Sequence, residues 1–113
     1  MEVNYKLHRL RALAENDDDF LVALAKAFLE EVPSDALLLK QAVENKNRPQ
    51  AYQISHKMKP TIDVFELGVL DPLIEIQVWG KLENVEGDVS LQLVEVLAAI
   101  DRTVVELKED FNL

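Results

Sequence analysis

His56 stands three residues before Lys59, inside the only basic stretch of an acidic chain. A neutral imidazole is a good nucleophile near pH 7, because the ordinary histidine pKa of about 6.5 leaves one ring nitrogen unprotonated. Such a ring can carry a phosphoryl group. Lys59, one helical turn further on, would set an ammonium beside the negative oxygens of that group, where positive charge is wanted. Gln53, one turn before His56, has an amide that can hydrogen-bond the imidazole or the phosphoryl group, although a solvated glutamine is the simpler reading.

The other reactive residue types offer less. With no cysteine in the chain, disulfides, thiolate zinc sites, redox pairs and cysteine nucleophiles are excluded together. His8 falls near the end of a short leading helix, where solvation or capping accounts for it. Asp17, Asp18 and Asp19 are consecutive, without the alternating spacing of a calcium loop, and serve as a helix start. Gly80-Lys81 is preceded by Glu75 where a phosphate-cradling loop needs its first glycine, so the chain shows no nucleotide site of its own. It is therefore not expected to phosphorylate itself, nor to be an enzyme in its own right. No pair among the many carboxylates stands out for acid/base work.

Charge narrows the partners. The net charge is −9 over 113 residues, split as −4 for residues 1–45, +4 for 46–59 and −9 for 60–113. This balance opposes phosphate backbones and anionic lipid, so neither nucleic acid nor a membrane surface is expected. The basic island of Lys46, Arg48, Lys57 and Lys59 suits a partner with an acidic face. No basic head with an apolar run opens the chain, and no stretch nears 18 uncharged apolar residues, so a cytoplasmic protein is expected. Short amphipathic helices that satisfy one another within a single bundle make a monomer the expectation.

These residues have to be positioned by helices. Three glycines and four prolines in a chain that is 49% hydrophobic argue against a turn-rich β fold. Asn4 to Leu13 reads as a short leading helix, and Asn16 to Asp19 caps a second one carrying Leu21, Leu24 and Phe28 inward. Pro33 is expected to kink or break that element, which resumes from Leu37 to Val43. A turn at 45–49 leads to a helix from Pro49 to about Leu67, closed by Gly68. Asp71 and Pro72 cap and open a helix to about Glu83, and Gly87-Asp88 makes the last turn. The final helix carries Leu93, Leu97, Ile100, Val104, Leu107 and Phe111 at spacings of three and four, a bundle seam. Trp79 is expected between helices. Residues 1–113 thus predict one all-α domain, an antiparallel four-helix bundle with a short additional N-terminal helix.

At about 100° per residue, Ala51, Ile54, Met58, Ile62 and Phe65 fall on one side of the third main helix, within about 60° of the direction opposite His56. His56 faces away from the core, in a polar strip with Tyr52, Gln53, Lys59, Pro60 and Asp63.

On these residues, Ser55-His56-Lys57-Met58-Lys59-Pro60-Thr61 in mid-helix resembles the histidine-containing phosphotransfer (HPt) domain of bacterial multistep phosphorelays. The likeness in helix order covers the whole chain, while the motif spans about fifteen residues. The resemblance implies that His56 accepts a phosphoryl group from an aspartate of one response-regulator receiver domain and passes it to another. It implies that Lys59 interacts with that group and that a hybrid sensor histidine kinase lies upstream. Mg2+ would sit on the receiver, leaving this chain no cofactor of its own. Tyr52, Lys57, Lys59 and Pro60 would line the docking surface. Two positions depart from the family: Pro60 stands where glycine usually follows the lysine, and Glu66 where another glycine is usual. Pro60 also lacks the amide that would bond to the carbonyl of His56. A non-catalytic helical adaptor, a pseudo-HPt domain binding an acidic partner through residues 46–59, is the alternative. An initial Met1 slightly favours a free-standing carrier over a piece of a hybrid kinase.

Overall fold

The computed structural model describes residues 8–15, 17–82 and 87–113, and all its regular elements are helices. They are α1 (His8–Ala14), α2 (Asp18–Glu44), α3 (Arg48–Val64), α4 (Leu70–Lys81) and α5 (Ser90–Asp110). No helix among the described residues is long and apolar enough to cross a membrane. The molecule measures 46 × 21 × 21 Å, its long axis matching a 27-residue α2 at about 1.5 Å per residue.

Periodicity decides what is buried. On α3 and its C-cap the five residues Ala51, Ile54, Met58, Ile62 and Phe65 are all buried, and His56 on the opposite side is exposed. Every member of the α5 seam from Leu93 to Phe111 is buried in the core or packed against it. Leu21 and Phe28 of α2 join them, and the Phe28 ring lies 4.7 Å from that of Phe65. Trp79 is buried, as its place between helices requires. The helix pairs α2/α3, α3/α4, α4/α5 and α2/α5 are all in contact, and α1 packs on α2 with Leu10 and Ala14 buried. α1 continues past His8 to Ala14, so His8 does not end it; the residues from Asn4 to Leu7 lie outside the described ones, as do Asn16 and Glu83.

Several local expectations are corrected. Pro33 neither breaks nor divides α2, which runs unbroken from Asp18 to Glu44. The missing backbone bond costs about 3 kcal/mol. Val32, Ala36, Leu39 and Val43 continue the buried stripe past it, and each buried side chain of the larger kind is worth about 1.5–3 kcal/mol, so packing prevails. The next helix starts with Asp71 in its first turn rather than at its cap. Val69 is the N-cap residue and no side chain caps this end, because burial of Leu67 and Val69 brings the chain in earlier.

The third difference concerns helix ends. α3 closes at Phe65, and the left-handed residue that follows is Glu66, at φ 54°, ahead of Gly68. The Leu67 amide donates to the Ile62 carbonyl and the Glu66 amide to that of Asp63, a paired closure that satisfies two end carbonyls. The same paired closure ends α2 with Lys46 in the left-handed position, and at the end of α5, where Asn112 is left-handed, the Leu113 amide donates to the Lys108 carbonyl.

Candidate functional site

Local capping fixes the start of α3 and hence the phase of its outer face. The Asn47 side chain accepts a hydrogen bond from the Gln50 amide at 3.3 Å and donates to the Gln50 side chain at 3.0 Å. Asn47 is thereby the cap, with proline in the first turn, as the turn reading of this segment anticipates. At the start of α2, the Asp17 carboxylate accepts from the Phe20 amide at 3.2 Å.

Eight residues into α3, His56 projects into solvent. Its Nδ1 lies 3.5 Å from Nε2 of Gln77 on α4, at the outer limit of a hydrogen bond. On its own helix the Tyr52 ring lies nearly parallel to the imidazole, with centroids 5.8 Å apart and an interplanar angle of 16°. Tyr52 is half-buried, so it forms a wall on one side of the ring. Gln77 is also half-buried; its Oε1 is buried and, among the described residues, has no hydrogen-bond partner. The ring contact thus comes from Gln77 rather than from Gln53, which is exposed.

Lys59 is half-buried on the same side of α3 as His56, and Pro60 is exposed beside it. α3 continues through Pro60 to Val64. The remaining cations of the basic island turn to groups of their own chain. Arg48 donates to the carbonyl oxygens of Trp79 at 3.0 Å and Leu82 at 2.9 Å, with its guanidinium 4.6 Å from the centre of the Trp79 ring. It sits at the C-terminal end of α4, where free carbonyls and the helix dipole both favour a cation. Lys57 reaches Oδ1 of Asp35 on α2 at 3.1 Å. Lys46 lies near enough to Asp88 to help depress its pKa. The larger causes there are the Ser90 hydroxyl and then the Ser90 amide, both donating to the carboxylate; partial desolvation opposes them.

What the arrangement can do follows from the hydrogen-bond inventory. A neutral imidazole bonded through Nδ1 presents Nε2 to an incoming group. The side-chain amide of Gln77 fits its space in either of two orientations. As placed, the Gln77 nitrogen donates to Nδ1 and a neutral ring then carries its proton on Nε2. With the amide turned, its oxygen accepts from an Nδ1 proton and the lone pair is on Nε2. Gln77 was not visible in the sequence, since only the register between two helices brings it to His56. Among the described residues no group of three or more histidine, aspartate or glutamate side chains is placed to hold a metal ion.

The chain matches no family model, no curated protein and no solved structure. Fold and site together define a helical protein in which the His56 imidazole faces solvent with Tyr52 of its own helix and Gln77 of α4 beside it.

Proposed function

We propose that this chain is a phosphoryl carrier of the HPt type, its four long helices forming an antiparallel bundle that presents His56 to receiver domains. One observation carries the reading: an exposed imidazole in mid-helix with the Gln77 side chain of a neighbouring helix 3.5 Å from its Nδ1. In the forward step, the Nε2 lone pair attacks phosphorus of a receiver's aspartyl phosphate. A P–N bond forms as the P–O bond breaks, the aspartate leaves as a free carboxylate, and the Nδ1 proton stays on the ring, which requires the Gln77 side-chain amide to turn its oxygen to Nδ1. The return step places the group on the carboxylate of a second receiver. Lys59 supplies positive charge near the transferred oxygens, and the receiver supplies the divalent ion.

The adaptor alternative asks residues 46–59 to act as a free electrostatic patch. Arg48 and Lys57 are each held by the chain's own acceptors, which weakens that role and favours the carrier. The deciding experiment incubates the protein with a radioactively phosphorylated receiver domain. Acid-labile, base-stable label on the wild type and none on His56→Gln is the expected result. Labelling that persists in His56→Gln would overturn the reading.

A further inference from the structure

Gly80 lies buried in α4 where that helix crosses α3. A Cβ at this position would meet the Arg48 carbonyl oxygen and the Tyr52 amide nitrogen at 2.7 Å each, and the Tyr52 Cα at 3.0 Å. All three are main-chain atoms of α3, which cannot swing aside as the end of a long side chain does. The two helix backbones therefore approach to a depth that only a residue without a side chain permits.

That contact is the middle rung of a register running antiparallel along both helices. One turn earlier on α3, Arg48 grips the carbonyls of Trp79 and Leu82. One turn later on α3 stands His56, and one turn back on α4 stands Gln77, 3.5 Å away. Helices packed at interior density move against each other as rigid bodies, so separation at one rung is passed to the next. The outer rung is already long at 3.5 Å, so further separation weakens this contact first.

We infer that Gly80 is a positioning residue of the imidazole: by seating α4 against the α3 backbone it holds Gln77 in reach of Nδ1 and so sets which ring nitrogen of His56 carries the proton. It acts through Gln77 and touches neither the ring nor any incoming group. The consequence for transfer rests on the carrier reading, whereas the geometric claim stands independently and is tested without phosphate.

The test is two-bond 1H–15N correlation of the His56 ring in wild type, Gly80→Ala, Gln77→Ala and the double variant. The ring shifts of Gly80→Ala are expected to coincide with those of Gln77→Ala, with no further change in the double variant. A folded Gly80→Ala that keeps the wild-type shifts overturns the inference, as does a double variant that sums the two single changes. If Gly80→Ala does not fold, the wild type decides by nuclear Overhauser contacts. Gly80 Hα to the Tyr52 amide and the Gln77 side-chain amide to His56 Hε1 are expected together, and the absence of either overturns it. A failure to take label from a receiver would remove the carrier reading and leave these shifts unaffected.

Discussion

Lys57 of α3 spans the groove to Asp35 of α2 and places its ammonium 3.1 Å from the carboxylate. The two ends differ in environment: the Asp35 side chain is 12% exposed and that of Lys57 63%. Removing the lysine leaves a nearly buried carboxylate without its ion pair, which costs more than losing a surface pair. Solvent around the lysine screens the attraction, so the coupling is set near the surface range, about 0.5–1 kcal/mol. A double-mutant cycle of Lys57→Ala and Asp35→Asn, read by urea unfolding, should return that value and should shrink in 1 M salt. Zero coupling at low salt would show that the pair adds nothing.

Two lysines two residues apart are therefore expected to behave differently. Lys59 shares the face of His56, while Lys57 is turned toward α2. On the carrier reading, Lys59→Ala slows phosphoryl transfer from a receiver by roughly a hundredfold, the scale for removing one charge-stabilising donor. Lys57→Ala changes the same rate by no more than about twofold, the scale of a surface charge outside the reacting centre. Single-turnover transfer measured for both variants checks the contrast. Equal losses would assign the effect to net charge in the strip rather than to position.

The contrast also marks where sequence reading reaches and where it stops. The face of α3 was legible, from Ala51 to Phe65 on the inside to His56 on the outside, because one helical period settles all of it. The Asp17 cap and the α5 seam were legible for the same local reason. Pro33 was misjudged because its penalty is local and the burial that outweighs it lies on other helices. Glu66 was missed as the left-handed residue because the preference for glycine there is only about 1–2 kcal/mol, small against the burial of Leu67 just beyond. Gln77, and the acceptors that hold Arg48 and Lys57, needed the register between helices. That register depends on a backbone contact at Gly80 to which no local pattern points.

Arg48 offers a check on how the end of α4 is held. Its guanidinium satisfies two carbonyls at that end and lies over the Trp79 ring, three contributions lost together on substitution. Arg48→Ala should destabilise the protein by about 1–3 kcal/mol, combining charge-assisted bonds of modest net value with a partly exposed cation–π contact. Arg48→Lys should recover only part of this, since a lysine cannot serve both carbonyls and the ring in one planar geometry. Urea unfolding gives the magnitude. Trp79, the sole tryptophan, reports the local change by its fluorescence, which is expected to shift in both variants.

At the start of α5 the Asp88 carboxylate receives the Ser90 hydroxyl and the Ser90 amide, and its pKa is lowered for those reasons, in that order. A folded-state pKa below the unfolded one means that the contact stabilises the fold above the ordinary carboxylate value of about 3.9. That contribution falls away as the pH drops below this value and through the depressed folded one. Ser90→Ala removes the larger cause and leaves the amide, so Asp88 should titrate closer to its ordinary value while remaining below it. Carbon-13 titration of the Asp88 carboxyl gives the shift directly. In urea unfolding, the stability gap between wild type and Ser90→Ala should be steady from pH 5 to 7 and close toward pH 2. A gap that widens on acidification would mean the hydroxyl stabilises the protonated carboxyl instead.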